Sequence, residues 1–552
     1  METLTHVGER WYTEAVIYCL DVETFADSDG DGVGDFRGLI GRLDYLARLG
    51  VTCLWLNPIH PSPGRDDGYD VTDYYTVDPR LGTLGDFVEL LQHAANKGIR
   101  VILDLVANHT SIEHPWFVSA RDPDSPYRDW YVWSTEEPAH RFQGMVFPGE
   151  QESTWSWDSE AGAWYYHRFY DFQPDLNIAN PRVREEIKRI VGFWLQLGVS
   201  GFRVDGAPFV IELTDPKAPD GEKDFEFLTE LRQFAQWRRG DAILLAEANV
   251  EPDGLTTYFG DSGGSANRLH MLFDFTLNGH VVLALARQDA EPIIEALRSS
   301  PALPAGAQWA TFLRNHDEID LSRLTAEQRS DVFAEFGPDE EMRLYDRGIR
   351  RRLAPMLGGD RRRLELAYSL QFTLRGTPVL RYGEEIGMGE DLSLSGRDAI
   401  RTPMQWSAAD PSAGFSTARK TIRPAIASGK YSYKNVNVTD QRHDPQSLLA
   451  WFERMIRSLR EAPEINAGTC SYIDVPTPRS VLAHRADGPT GTMVFLHNLG
   501  TEKVVVDLGD LYEEADRPNQ VFGDVPNAPV GELDALELDG FGYRWIRLRR
   551  TP

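Results

Sequence analysis

The chain has 552 residues, 41% of them hydrophobic and 11% aromatic, and a formal charge of −28 at pH 7. That length holds one large domain with smaller ones attached, and the acid excess excludes a nucleic-acid-binding face. No apolar run reaches the length of a membrane span, and three cysteines, Cys19, Cys53 and Cys470, are too few for a disulfide framework. Residues 1–10 lack the basic, apolar, small-residue succession of a secretory leader, so a cytoplasmic protein is expected. Positive charge is almost all arginine, which fits either GC-rich coding or a salt-rich cytoplasm.

In chain order, residues 15–20 read as a first strand. Asp27, Asp29, Asp31 and Asp35 follow, alternating with glycines. Carboxylates at every second position, with the Val33 carbonyl, suit a hard cation such as calcium, and without one the acids repel each other. No glutamate stands where an EF-hand would need it. A helix is predicted over 39–49, a second strand over 51–58 and a polar loop over 65–70. The helix Leu84–Asn96 leads into a third strand, 101–109. From there to about residue 175 the sequence is rich in Trp, Tyr, Pro and Ser and holds no long helix. This is an excursion, and its Trp155, Trp157 and Trp164 could stack on sugars or fill a core.

Helix 183–197 precedes the fourth strand, Gly201-Phe202-Arg203-Val204-Asp205. Helix 225–238 precedes the fifth, which ends at Glu247. Residues 269–275 form a sixth strand, and a seventh ends at Asn315-His316-Asp317. A charged insert spans 318–363, an eighth strand follows from Thr377, and Leu448–Arg460 reads as a last helix. Residues 472–548 alternate short strands with Gly, Pro and Asp turns, as an antiparallel β domain does.

Four apolar runs therefore end in polar residues: at Asn108 and His109, at Asp205, at Glu247, and at Asn315–Asp317. One such run is an ordinary solvated strand end. Four, separated by helices, are what a (β/α)8 barrel needs to gather catalytic groups on one rim. Paired carboxylates on a rigid rim suit glycoside chemistry, one attacking the sugar and the other protonating the leaving oxygen. Arg203, two residues before Asp205 and on the same side of the strand, would keep that aspartate ionised. Glu247 ends an apolar strand, a setting that raises a carboxyl pKa toward general-acid use. His109 and His316 could bind sugar hydroxyls.

Asp104-Leu-Val-Ala-Asn108-His109, Gly201-Phe-Arg-Val-Asp205, the strand ending in Glu247, and Asn315-His-Asp317 resemble the four signature regions of the alpha-amylase family of glycoside hydrolases. Gln173-Pro-Asp175-Leu-Asn177 resembles a fifth. The resemblance implies a (β/α)8 TIM barrel (1–107 and 177–460), an inserted lobe after strand 3 (108–176) and a C-terminal antiparallel β domain (461–552). It further implies Asp205 as nucleophile, Glu247 as acid/base and Asp317 as transition-state stabiliser. Asp70, His109, Gln173, Arg203, His316, Glu318 and Arg401 would bind substrate, Arg401 by holding Asp70 or the sugar beside it. A second structural calcium would sit at Asn108, Asp175, the Phe209 and Val210 carbonyls and Glu212. The expected partner is a small α-glucoside, with no nucleic acid or membrane, and a homo-oligomer is left open.

Asp66-Asp-Gly-Tyr-Asp70, His114-Pro-Trp-Phe117, Ala246-Glu-Ala-Asn249, residues 348–355 and Arg401-Thr-Pro-Met-Gln-Trp406 resemble, more narrowly, the branch of that family that interconverts maltose and trehalose by intramolecular glucosyl transfer. The chain departs from that branch at Val250, at Ser322 and at Gly206-Ala-Pro-Phe209, positions on the acceptor side. An α-glucosidase or transglucosidase acting on maltose or sucrose is the alternative. A catalytically silent sugar-binding subunit is disfavoured by the intact Asp205, Glu247 and Asp317.

Overall fold

A computed structural model describes residues 10–218, 221–260, 264–409, 411–467, 469–474, 478–488, 491–509, 517–525, 530 and 533–549. Residues 1–9, where no leader pattern was read, lie outside them. Eight parallel strands close into the expected barrel: β1 (Ile17–Leu20), β2 (Cys53–Leu56), β3 (Arg100–Leu105), β4 (Gly201–Val204), β5 (Ile243–Ala246), β6 (Met271–Phe273), β7 (Gln308–Thr311) and β8 (Thr377–Arg381). Each is followed by a helix: α1 (Leu43–Leu49), α2 (Leu84–Asn96), α3 (Pro181–Leu197), α4 (Glu226–Arg238), α5 (Pro252–Phe259), α6 (Phe275–Arg287), α7 (Arg361–Thr373) and α8 (Leu448–Arg460).

The two-residue period of the strands sorts their side chains. Ile17, Cys19, Cys53, Trp55, Ile102, Ile243, Leu245, Met271 and Phe273 fill the barrel interior. Their neighbours Tyr18, Leu20, Leu54, Leu56, Leu103, Phe202 and Leu244 pack outward under the helices. By the same period Asp104 and Arg203 join the inward set. Gly201 opens β4 with φ 150°, and a Cβ there would stand 2.3 Å from the Ile243 carbonyl oxygen, so only glycine lets β4 pair with β5 in this register.

Local signals set the helix ends. Thr83 and Asp86 form a reciprocal capping box on α2, Asn180 and Pro181 start α3, and Gly198 stops it in a left-handed turn. The single helix read over 39–49 is two short ones, Phe36–Ile40 and Leu43–Leu49, broken at Gly41 and Arg42. Strand six is shorter than expected because Phe275 already begins α6, capped by Asp274.

The excursion after β3 contains a three-stranded antiparallel sheet of Trp133–Ser134, Ala163–Tyr166 and Trp155–Asp158. The insert after β7 is likewise ordered around a small sheet of Ile319–Asp320, Gly348–Ile349 and Arg343–Leu344, with the helix Ala326–Phe336. Beyond α8 an antiparallel five-stranded sheet runs Thr469–Tyr472, Val481–Gly488, Gly491–Asn498, Tyr543–Arg549, Arg517–Gly523. Ile473, Val494, Leu496, Ile546 and Leu538 give this region its own core. Among the described residues no helix is long and apolar enough to cross a membrane.

Candidate active site

Arg203, 1% exposed, is the hub at the C-terminal ends of the strands. Its Nη1 donates to Asp104 Oδ1 at 2.7 Å and to Asp205 Oδ1 at 2.5 Å, and its Nη2 donates to Glu247 Oε2 at 2.5 Å. Trp55 Nε1 and Tyr69 Oη donate to the other oxygen of Asp104, at 3.1 and 3.2 Å. A buried guanidinium therefore holds the carboxylates of three adjacent strand ends (β3, β4 and β5) around one point.

The environments of these acids differ. Burial pushes the Glu247 carboxyl up to about 8; Arg203 opposes this, while the charges of Asp205 and Asp317 add to it. Asp317 goes the other way. Burial alone would raise it, but the Arg397 and Arg401 guanidiniums beside it hold it well below the usual carboxylate range. Arg397 Nη1 and Arg401 Nη2 each lie 3.0 Å from its Oδ1, and His316 Nε2 lies 3.2 Å from its Oδ2. Burial depresses both His109, to about 4, and His316, so both are neutral at pH 7. His109 Nε2 faces the Tyr69 carbonyl at 3.1 Å, and His316 Nε2 faces Tyr69 Oη at 2.7 Å.

Several of these groups line a cavity of about 540 Å³, within the range of small-ligand sites. Asp66, Tyr69, His109, Asp205, Glu247, Asp317, Glu318 and Arg397 face it. Glu318 accepts from Arg397 Nε at 2.9 Å, and Gln173 Nε2 donates to Asp66 Oδ2 at 2.8 Å.

Of the residues expected to bind substrate, Gln173, Arg203, His316 and Arg401 lie buried behind the lining, and Asp70 does not line the cavity either. It is buried, and its carboxylate is engaged by Ser62 Oγ at 2.6 Å and by the amides of Arg65 and Asp66. Asp66 stands in its place. Arg401 accordingly holds Asp67 (2.7 Å) and Asp317 rather than Asp70. Asp66, Asp67 and Arg397 went unread in the sequence. A polar loop offers no periodicity to rank one aspartate over another, and nothing local marks Arg397 as cavity-facing.

A roof crosses the cavity from two sides. Arg347, from the insert after β7, donates through Nη2 to the Val146 carbonyl of the lobe at 2.9 Å. Tyr345 Oη and Tyr170 Oη are 3.1 Å apart, and the Phe147 ring packs on both rings at 4.9 and 4.8 Å. Tyr345 and Asp346 both take left-handed backbone, φ 55° and 58°, a strained pair for non-glycine residues. On the facing side Asn249 Nδ2 donates to Asp320 at 2.9 Å and to Ser322 Oγ at 3.1 Å, while Arg323 Nε donates to Asn249 Oδ1 at 2.7 Å. Val250 lines the cavity beside them. The three lobe tryptophans do not line the cavity: Trp155 is core, and Trp157 is half exposed against Trp164.

The two expected calcium positions differ in fit. Carboxylate oxygens of Asp27, Asp29 and Asp35 lie within 4.8 Å of one another, the spacing a shared cation needs. At the second position the chain supplies its own cations. The Arg168 guanidinium and the Lys223 ammonium both close on Glu212, and Asp175 Oδ1 accepts the Arg168 amide at 2.9 Å. Burial raises Asp175 to about 7. Asn108, Asp175, Phe209, Val210 and Glu212 therefore do not fit a calcium site, because Arg168 and Lys223 already neutralise Glu212.

The family description "Alpha amylase, catalytic domain" matches residues 19–335 and 349–468. A trehalose synthase of Pimelobacter sp. (strain R48) is 40% identical over 559 residues, covering 99% of this chain and 97% of that protein. A trehalose synthase of Thermus thermophilus is 42% identical over 544 residues, covering 98% of this chain but 56% of its own length, so the chain spans about half of that relative. Among solved structures, the trehalulose synthase of Pseudomonas mesoacidophila MX-45 superposes with a TM-score of 0.78 at 26% identity, over 98% of this chain and 99% of that one. The chain belongs to the alpha-amylase family.

Proposed function

We propose that the chain interconverts maltose and trehalose by retaining intramolecular glucosyl transfer. The observation that carries this is the roofed cavity with Asp205 and Glu247 joined through Arg203, in a chain 40% identical to a trehalose synthase along nearly its whole length. Asp205 attacks C1 of the non-reducing glucose as Glu247 passes its proton to the departing glycosidic oxygen. A covalent glucosyl-Asp205 and a free glucose result. The glucose turns within the roofed site, Glu247 as carboxylate takes the proton of its anomeric hydroxyl, and that oxygen attacks C1 and releases Asp205. Asp317, held ionised by Arg397 and Arg401, stabilises the positive charge that builds on the ring. Asp66, Tyr69, His109, Glu318 and Arg397 line the cavity where the reacting glucose would lie, with Arg203 and His316 buried behind them.

The roof matters because water competes with the returning glucose. Apolar Val250 and short Ser322 leave the acceptor glucose fewer contacts, which favours a measurable hydrolytic side reaction. The test incubates pure enzyme with maltose and separates the products by chromatography. Trehalose as the main early product is expected; glucose alone at every time and at high maltose would leave an α-glucosidase.

The loop Asp27–Asp35 is proposed to hold a structural calcium through Asp27, Asp29, Asp31, Asp35 and the Val33 carbonyl, away from the chemistry. A cytoplasmic location accords with the same reading.

A further inference from the structure

Between the acidic loop and the active site runs a chain of ion pairs, Arg423–Asp67–Arg401–Asp317, of which the mechanism above uses only the last. Arg423 lies after β8, in a segment that docks on the acidic loop. The Asp27 amide donates to the Phe415 carbonyl, Ser416 Oγ to Asp27 Oδ2, and the Ile422 amide to the Gly32 carbonyl. That docking needs glycine: at Gly32, φ 99°, a Cβ would stand 2.2 Å from the Lys420 carbonyl oxygen.

From this anchored segment the Arg423 side chain, 11% exposed, turns inward. Its three nitrogens take three different carboxylates: Nη1 to Glu23 Oε1 at 2.6 Å, Nε to Asp398 Oδ1 at 2.9 Å, and Nη2 to Asp67 Oδ1. Asp67 gives its other oxygen to Arg401 Nη1 at 2.7 Å, and Arg401 Nη2 reaches Asp317 Oδ1 at 3.0 Å. Asp67 also sits in left-handed backbone, φ 50°, in the loop that carries Asp66 and Tyr69 into the cavity.

We infer that Arg423 is a positioning residue: by sharing Asp67 with Arg401, it fixes Arg401 on Asp317 and holds the Asp66–Tyr69 loop in its strained form. Arg401 stands between two carboxylates and is drawn toward whichever is less neutralised. Arg423 neutralises Asp67 from behind, which leaves Arg401 free to face Asp317. Without Arg423, Asp67 pulls Arg401 back and its own backbone can relax. Arg423 touches neither the cavity lining nor the catalytic carboxylates. The inference rests on Asp317 acting in glucosyl transfer, but not on which acceptor is used.

The experiment measures kcat and KM of the full chain with p-nitrophenyl α-glucoside, where release of the phenol reports glucosylation of Asp205 with no need for an acceptor sugar. Arg423→Gln should lower kcat roughly ten- to a hundredfold per folded molecule with KM little changed, as small displacements of a catalytic group do. Arg423→Lys, which keeps the charge but reaches fewer partners, should recover part of that loss. A merely structural role would lower the melting temperature and leave kcat per folded molecule as it was; an Arg423→Gln kcat within twofold of wild type overturns the inference, as does an Arg423→Lys no better than Arg423→Gln. If Arg423→Gln does not fold, Asp398→Asn decides. Asp398 is 39% exposed, and its loss should lower kcat severalfold at constant KM, while an unchanged kcat rejects the idea. A wild type that cleaves the aryl glucoside but makes no trehalose from maltose refutes the proposed function and leaves this test intact.

Discussion

Arg203 donates to Glu247 at 2.5 Å, yet Glu247 keeps its proton up to about 8. An arginine at that distance ordinarily strips a carboxyl of its proton. Here burial and two further acids, Asp205 and Asp317, outweigh it. Arg203 itself is divided among Asp104, Asp205 and Glu247, so no single acid receives its whole charge.

The pH dependence follows from that balance. Below about 8 Glu247 is protonated and can act as the acid; as pH rises through that value the proton is lost and glucosylation slows. Maltose turnover should therefore fall on an alkaline limb near pH 8, and Glu247→Gln should lower kcat on maltose by about 10²–10⁴-fold. In kcat/KM, which reports the glucosylation step alone, an aryl glucoside, whose leaving group needs no proton, should lose far less. Equal losses on both substrates would remove Glu247 from the acid's role.

Arg203→Lys tests the hub. A lysine offers one ammonium where three carboxylates are held, so at least one is left buried without its partner. Turnover is expected to drop by on the order of 10²–10³-fold, the scale of losing one aligned electrostatic contact in a closed site. A folded Arg203→Lys enzyme with near-wild-type kcat would show that the hub does no more than pack.

The barrel and its rim were readable in the sequence because both rest on local patterns. Apolar runs ending at His109, Asp205, Glu247 and Asp317 state strand, direction and polar terminus at once, and the period of two already puts Arg203 on the side of Asp205. Loop geometry was not readable. Asp66, Asp67 and Asp70 are equivalent in a sequence, and only the left-handed backbone of Asp67 and the Ser62 contact of Asp70 tell them apart. The second ion position failed for a related reason. Its ligand types are all present, but Arg168 and Lys223, lying 44 and 11 residues from Glu212, fold onto it.

Calcium removal probes the loop Asp27–Asp35. The carboxylates of Asp27, Asp29 and Asp35 are close together and range from exposed to buried, and an ion that binds only the folded chain stabilises it by about 2.7 kcal/mol at a hundredfold excess over Kd. Chelator-treated protein should melt several degrees lower and recover with calcium, and Asp29→Ala should abolish the response. Identical melting curves with chelator and with calcium count against an ion in this loop.

The roof bears on the fate of the glucosyl-enzyme. Arg347 ties the insert after β7 to the lobe through a single bond to the Val146 carbonyl, beside the Tyr345–Tyr170 pair. Neither Arg347 nor Val146 contacts Asp205, Glu247 or Asp317 by hydrogen bond, so cutting the tie should spare the first chemical step. It should instead admit water and let glucose escape before it turns and returns. Losing one such contact costs on the order of 1–2 kcal/mol, enough to change the partition between transfer and hydrolysis roughly tenfold. Arg347→Ala should thus consume maltose at about the wild-type rate while the ratio of glucose to trehalose rises by about that factor. An unchanged ratio would mean that the roof does not govern water access, and that selectivity lies deeper, with Asn249, Asp320 and Ser322 at the acceptor side.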